Sequence, residues 1–566
     1  MGRPRKRWVT RAADPAVAGR LAEALRLPGP LGVLLVARGF DDPQKAEAFL
    51  NPRLADMSDP ARIPGIAEAA ALILGAVRSN RKIVVYGDYD ADGLTATALM
   101  VRVLRHLGAR VDAFIPHRVD DGYGLTMDGL SRCLELKPDL LVTVDCGITA
   151  LDAIREARRQ GVTVVVTDHH EPGSSLPDAH AIVDPKLGDD ETSHVLAGVG
   201  VAFKLCHALI RDVSATNPDR RMDLRPFLEL VAIGTVADVV PLTGENRAMV
   251  RYGLAQLSSR PSVGMQALLA VAEIKGIIEG HHIGYGLGPR LNAMGRLAGA
   301  QTSLRLLLCD DFADAGKLAQ VLEEMNIERR RVEDLIRAEA EPMVDPHAHG
   351  IVLGREGWHV GAIGIVASRI CQKFYRPSVV ISFDENGRGK GSCRSVEDID
   401  LLAMLDECHE LLESHGGHKA AAGLVIMRGN FEKFSVRFDE CCRLRGAGAD
   451  CVPTLVADAA IGLDAVDMAL ARAIAGIKPF GAGNPVPLWR INRVRRAAPP
   501  RKVGKNGAHL QFQVASGRAR CAAVAFNCPD EDIPDGEIDI ICQVDVNSFR
   551  GVDSVQLNIQ DWAASP

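Results

Sequence analysis

The chain is short of aromatics, which make up only 4% of its 566 residues, with Trp 4 and Tyr 6. Any hold on stacked bases must therefore come from few rings, and contacts to a polyanion must rest on charge instead. It also lacks a dominant charge. Lys+Arg 66 against Asp+Glu 72 leaves a formal −6, which excludes coating nucleic acid by net charge alone. No apolar run approaches the roughly 18 residues of a membrane span, and the basic start Met1–Trp8 leads into no apolar segment. A soluble, cytoplasmic protein without a membrane partner is expected. The 13 cysteines include the adjacent pair Cys441-Cys442 but no CxxC, which argues against a zinc ribbon or a disulfide framework. There are no internal repeats and no low-complexity tract.

What is present is ordinary globular material, 47% hydrophobic and 24% charged, at a length that suggests about three to five domains. Residues 1 to 80 read as a helical region, with Ala/Leu-rich stretches such as Ile66–Val77. From 81 to 245, short β-branched runs at Ile83–Tyr86, Val111–Ile115, Leu140–Val144 and Val162–Thr167 alternate with helix-like segments. That alternation means βαβ units and a mostly parallel, doubly wound sheet. Residues 246–345 read as helical and include a long candidate helix, Asp311–Glu341, ended by Pro342. Its Leu318, Leu322, Met325, Val332 and Leu335 fall near heptad spacing. It either bridges two lobes or packs as an amphipathic helix on one domain. Residues 346–455 form a second α/β region, with a helix at Gly361–Lys373 and a strand at Val379–Ile381. From 456 to 566, short alternating strands suggest a small β-barrel.

Three of the early strands run into acids. Ile83–Tyr86 leads to Gly87-Asp88-Tyr89-Asp90-Ala91-Asp92-Gly93, Leu140–Val144 to Asp145-Cys146-Gly147, and Val162–Thr167 to Asp168-His169-His170. Carboxyl ends of parallel strands line one crevice, where ligands bind. A single Asp after a strand is often only the cap of the next helix. Three in register, one in a DxDxD run and one before His-His, call instead for a cation to offset their repulsion. Asp oxygens with an imidazole suit Mg²⁺ or Mn²⁺, and the number of acids suits two ions.

GDYDADG (Gly87–Gly93), VDCG (Val144–Gly147), DHH (Asp168–His170) and ADVVPL (Ala237–Leu242) in this order resemble the four motifs of the DHH phosphoesterase superfamily. Gly416-Gly417-His418 resembles the GGH signature of the DHH-associated substrate domain. Gly288–Arg296, Gly391–Ser395, Pro479–Pro485 and Phe549-Arg550-Gly551 are similar to the RecJ family of single-strand-specific DNA exonucleases, and the likeness runs from about residue 50 to 562. The resemblance implies an α/β, two-lobed fold, in which a parallel-sheet DHH domain is joined to a smaller α/β domain by a long helix and followed by a C-terminal OB-fold β-barrel.

It further implies that Asp88, Asp90, Asp92, Asp145, His169 and Asp238 coordinate two Mn²⁺ or Mg²⁺ ions, with the pairing of motif-one acids to ions left open. Asp168 would brace its neighbours, and His170 would contact the scissile phosphate or help the leaving oxygen depart. Metals lower the pKa of bound water and cancel phosphate charge, which a phosphodiester needs. The implied reaction is in-line hydrolysis of single-stranded DNA, 5′→3′, releasing 5′-mononucleotides in DNA repair and recombination. Arg118, Arg290, Arg296, Ser392, Arg394, Gly416, Gly417 and His418 are the expected substrate contacts. A single-strand-binding protein and a helicase are candidate partners, and the protein is expected to be a monomer.

Two other readings stand beside this one. One is a DHH phosphodiesterase acting on short oligonucleotides or cyclic dinucleotides. The other is a non-catalytic nucleic-acid-binding scaffold. The stretch Val486–Arg520 carries nine Lys/Arg and no acid, with Trp489 and Phe512 among them, and reads as the single-strand-binding face of the barrel. At Asp184-Pro185 relatives are expected to carry Asn-Pro. Asp184 is either structural or an added negative charge near the cleft.

Overall fold

A computed structural model of the chain describes residues 6–117, 122, 124–396, 399–448, 451–504, 507–528, 533–549 and 551–565. Arg118, Lys505 and Arg550 lie outside the described residues. The chain forms two compact units. Met57–Cys451 is one, and Met1–Asp56 with Val452–Pro566 is the other. Among the described residues no single helix is long and apolar enough to cross a membrane.

The first strand, β1 (Arg7–Thr10), belongs to the second of these units. The Met57–Cys451 unit begins its sheet with β2 (Lys82–Gly87), β3 (Arg110–Phe114), β4 (Leu140–Val144), β5 (Thr163–Thr167) and β6 (Ala181–Val183). They form one all-parallel sheet in the order β3-β2-β4-β5-β6. The runs Ile83–Gly87, Leu140–Val144 and Val164–Thr167 are buried throughout, as expected of strands covered on both faces. Gly87 lies opposite Val144, Val144 opposite Thr167, and Thr167 opposite Val183. Asp88, Asp145, Asp168 and Asp184 therefore follow the four strands at one edge, one more than the sequence reading placed there.

A mixed sheet follows in the same unit: β7 (Ile351–Glu356), β8 (Ser378–Phe383), β9 (Arg388–Arg394), β10 (Ser414–Gly417) and β11 (Ala421–Met427), ordered β10-β11-β9-β8-β7. The helix Val360–Phe374 lays Ala362, Ile363, Val366 and Ile370 into a core with Ile351, Leu353 and Val380. Each of the larger aliphatic side chains contributes roughly 1.5–3 kcal/mol on burial.

The long helix is present as Phe312–Ala340, capped by Asp311, which accepts from the Asp314 amide at 2.9 Å. Its buried stripe keeps Leu322 from the expected set, with Leu318, Met325 and Val332 half-buried. It runs Ala315, Ala319, Leu322, Asn326, Arg329, Glu333, Ile336 and Ala340, while Leu335 is 55% exposed. Three polar residues occupy the middle of that seam. Arg329 pairs with Glu333 and donates to Asn326 Oδ1 at 2.8 Å, so the guanidinium is buried with partners. A hydrophobic count cannot see a stripe whose centre is an internal ion pair.

The other unit joins both ends of the sequence. β1, a strand within the stretch 1–80 expected to be helical, pairs in parallel with β12 (Thr454–Ala457). The remaining strands are β13 (Ala459–Ala460), β14 (Trp489–Arg496), β15 (Arg501–Val503), β16 (His509–Ser516), β17 (Ala519–Ala525), β18 (Glu537–Phe549) and β19 (Val552–Ala564). They form a sheet ordered β13-β14-β18-β19-β17-β16-β15, which the additional β14–β16 pairing closes on itself. Leu31, Leu34 and Leu35 share this barrel's core with Trp489, Ile491, Phe512 and Leu557. The N-terminal helices thus bury their apolar face against strands from the far end of the sequence.

The acid-free tract is not an unopposed basic face. Arg490 meets Asp539 at 2.9 Å, Arg495 meets Glu537 at 3.0 Å, and Arg496 pairs with Asp535. These acids come from β18 and the turn before it, and a linear count cannot bring them across the sheet. Arg493, Arg501, Arg518 and Arg520 stay exposed with no ion pair among the described residues. Trp489 and Phe512 are core residues, so neither is presented for stacking.

Candidate metal centre

Strand ends, a helix start and a helix end build the site. Asp88 leaves β2. Asp90 caps the helix Ala91–His106, its Oδ1 accepting from the Asp92 and Gly93 amides at 2.9 and 3.2 Å. Asp92, in the first turn of that helix, accepts from Gly198 N at 2.7 Å and Val199 N at 2.9 Å, the start of the helix Gly198–Thr216. The positive end of that helix steadies a buried negative group. Asp145 follows β4 with φ +62°, a left-handed conformation that Asp tolerates better than most residues. Asp238 ends the helix Leu228–Ala237. Two glycines allow the close approach. A Cβ on Gly198 would lie 2.6 Å from Asp145 Oδ1, and one on Gly234 would lie 2.6 Å from Asp92 Oδ1.

These elements bring together three overlapping groups that could hold a metal ion: Asp88, Asp90 and Asp145; Asp92, His169 and Asp238; and Asp145, His169 and His170. Within each, the ligand atoms lie within 4.8 Å of one another. His169 Nε2 stands 3.1 Å from Asp145 Oδ1, 3.7 Å from Asp238 and 3.9 Å from Asp92. His169 Nε2 and Asp145 Oδ1 are both buried, yet neither is aligned in a hydrogen bond. Buried polar atoms without hydrogen bonds are rare, and a donor set of several carboxylates with an imidazole fits Mn²⁺ or Mg²⁺.

The electrostatics carry the mark of crowded acids. Burial first, then repulsion from Asp238 and Asp90, holds the Asp92 carboxyl well above its ordinary range. Burial and then Asp92 do the same to Asp145. Asp238 is pushed up to about 7 by burial and by Asp90. His169 is lowered to about 4 by burial and the neighbouring His170. His170 goes the other way. Burial opposes its charge, but its Nδ1 lies 2.7 Å from Asp168 Oδ1, and that bond lifts it to about 9. Asp168 is braced in turn by the His169, His170 and Ile148 amides. Asp184 is fully buried, caps the turn Pro185–Leu187 through the Lys186 amide, and is raised to about 7 by burial. It is a structural cap first.

A cavity of about 460 Å³ opens beside the cluster, lined by His169, His170, Lys186, His194, Pro241 and His418 among others. His418 thus stands with the DHH histidines. Ser392 and Gly416 line a second cavity of about 390 Å³ with Tyr89, Lys390 and His415. Gly417, at φ +141°, follows Gly416 in β10. Arg296 donates to Gly361 O at 3.3 Å and lines a third cavity of about 130 Å³ with Asn292 and Arg329. Arg394 donates to Ser368 Oγ at 3.0 Å and to Cys393 O at 2.8 Å, close behind Ser392. Arg290 is not brought to these cavities. It pairs with Glu323 and donates to Gly286 O at 2.8 Å. Lys186, His194, Lys390 and His415 went unnoticed in the sequence. Lys186, three residues beyond β6, could have been found by extending the strand-end rule to that strand.

Three matched domains coincide with this architecture: the DHH family, N-terminal domain over residues 82–235, the DHHA1 domain over 347–444 and the RecJ OB domain over 457–561. With strand-end acids and the DHH triplet in place, they define a metal-dependent phosphoesterase of the DHH class. A relative from Bacillus subtilis (strain 168), named single-stranded-DNA-specific exonuclease RecJ, is 35% identical over 570 residues, covering 99% of this chain and 71% of that protein. One of the same name from Dickeya dadantii (strain 3937) is 36% identical, covering 94% of this chain and 96% of that one. The crystal structure of RecJ in complex with Mn²⁺ from Thermus thermophilus matches with a TM-score of 0.87 and 33% identity over 99% of this chain and 80% of that chain. A counterpart with Mg²⁺ matches at 0.80. The chain belongs to the RecJ family.

The raised carboxyls give a signed pH dependence. Asp238 rises from an ordinary value near 4 to about 7, so its contribution to stability is full below about pH 4 and is lost as pH climbs through 7. Chelated protein should therefore lose on the order of 2–4 kcal/mol between pH 5 and 8. Mn²⁺ binds the ionised form, so the rise in melting temperature on adding Mn²⁺ should grow over that window. Calorimetry with and without metal measures it, and a metal shift that is flat or shrinks with pH would refute the assignment of these acids as ligands.

Proposed function

We propose that the protein is a single-stranded-DNA-specific exonuclease that works 5′→3′ and releases 5′-mononucleotides. The overlap of the three ligand groups at the strand ends carries this reading. Asp88, Asp90 and Asp145 would hold one divalent ion, and Asp92, His169 and Asp238 the other. Two bound ions, Mn²⁺ or Mg²⁺, would supply a water of lowered pKa and offset the charge on the phosphate. The chain's own groups do the rest. Asp168 fixes the ring of His170 and keeps it cationic at neutral pH. His170 then holds a phosphate oxygen or gives its proton to the departing oxygen. Lys186 and His418 add donors at the same cavity. Ser392, Gly416 and Gly417, with Arg394 and Arg296 nearby, receive the 5′ end. Arg290, tied to Glu323, serves the fold in this reading.

Residues 81–245 would be the DHH catalytic domain and 346–455 the substrate domain, joined through 246–345, with the single-strand-binding barrel at 456–566. In the barrel, Arg493, Arg501, Arg518 and Arg520 would track the phosphates. Residence in the cytoplasm, work in repair and recombination, action as a monomer, and cooperation with a single-strand-binding protein and a helicase belong to the same proposal. They rest on the family's DNA substrate. A complete ligand set speaks against a decayed scaffold, and the RecJ OB domain speaks against a phosphodiesterase limited to dinucleotides.

Digestion of 5′- and 3′-labelled strands under Mn²⁺ and Mg²⁺ titration tests the reading. The 5′ label should leave first, as a mononucleotide, with the duplex spared. Release from the 3′ end first, or cleavage of dinucleotides alone, would end it.

A further inference from the structure

Val239 directly follows the cluster ligand Asp238 and holds φ +62°. It sits where the helix Leu228–Ala237 turns out of its axis, its amide still donating to Val236 O at 3.3 Å. Helices that end this way usually place glycine there, because any Cβ is strained in the left-handed region and a β-branched one most of all. Strain of this kind persists where something repays it. Packing does not repay it here, since the Val239 side chain is 69% exposed. The neighbours are committed on both sides. Val240 and Pro241 line the cavity of His169, His170 and His418, and Ala237 lines the cavity of Asn292 and Arg296. A branched apolar side chain therefore stands in solvent between the cavity that holds His169, His170, Lys186 and His418 and the one that holds Asn292, Arg296 and Arg329, one residue from Asp238. The backbone turn needs only glycine, so the valine side chain serves something outside the fold.

We propose that Val239 contacts the nucleobase of the nucleotide whose phosphodiester lies at the acid cluster, and so holds that nucleotide in register. This rests on the exonuclease reading. Lys186, the histidines and Arg296 in those cavities suit phosphate, and a base is the apolar part of a nucleotide that reaches beyond it. Valine carries no donor or acceptor, so the contact registers a base without reading which one it is, as a sequence-blind nuclease requires.

The test compares kcat/KM on a 5′-phosphorylated single strand with that on the same strand carrying an abasic residue at the nucleotide to be released. Wild-type protein should lose about tenfold on the abasic strand. Val239→Gly should lose about tenfold on the normal strand and nothing further on the abasic one. Its melting temperature should be no lower than that of wild type, because glycine relaxes the turn. Val239→Ile should keep the dependence on the base. The proposal is overturned if Val239→Gly cuts the normal strand at the wild-type rate, if it loses the same factor again on the abasic strand, or if wild type is indifferent to the missing base. Failure of the exonuclease reading would look different: wild type would cut neither strand.

Discussion

Asp145→Asn lowers turnover of single-stranded DNA by about 10³–10⁴-fold and at the same time raises the melting temperature of the metal-free protein. Asp145 is shared by two of the three ligand groups, and its Oδ1 faces His169 Nε2 at 3.1 Å. Removing its charge weakens the hold on a cation that neutralises phosphate, an effect on the order of 4–6 kcal/mol in the transition state. The stability change has the opposite sign. Burial and Asp92 hold the Asp145 carboxyl well above its ordinary range, so its ionised form opposes folding at neutral pH. Asn is close in shape and also accepts a left-handed φ, so the turn at +62° survives. Turnover under saturating Mn²⁺ and calorimetry in chelator measure the two halves. A variant both less active and less stable without metal would mean that Asp145 mainly supports the fold.

Asp168→Asn lowers the rate about 100-fold at pH 8, and the deficit closes toward pH 5.5. His170 is lifted to about 9 by its bond to Asp168 against the pull of burial. With an amide in place of the carboxylate, burial prevails and the imidazolium is lost as pH rises through about 6.5 or below. The alkaline limb of kcat should move from near 9 down by two units or more. His170→Ala should lose about 10²–10³-fold and show no such limb. A pH profile of kcat for the three proteins decides it. An Asp168→Asn deficit equal at every pH would assign Asp168 to positioning alone.

Much of the site was legible because strands betray themselves. Buried β-branched runs ending in Asp88, Asp145 and Asp168 place those acids at one edge once the sheet is parallel, and β2, β4 and β5 do pair that way. Asp238 could not be found by that rule, since it comes from a helix end, and only the resemblance pointed to it. Arg290 shows the converse limit. A motif names the residue, but its pairing with Glu323 on the long helix depends on a packing that no linear pattern encodes. The same is true of Arg490 and Arg495, whose neutralising acids lie more than 40 residues on, across β18. The seam of the long helix was legible only in part, because Asn326, Arg329 and Glu333 count as surface residues until they satisfy one another inside.

The pairing of β1 with β12 also sets an order of events during synthesis. Trp8 lies opposite Leu455 and donates to Asp561 at 2.8 Å. β1 thus waits for its partner until Met57–Cys451, which holds its own sheets and core, has been made. Closing so long a loop adds only about 0.6 kcal/mol per doubling of its length, so the delay is one of time more than of stability. A nascent chain would complete the unit that carries the acid cluster before the barrel unit could close.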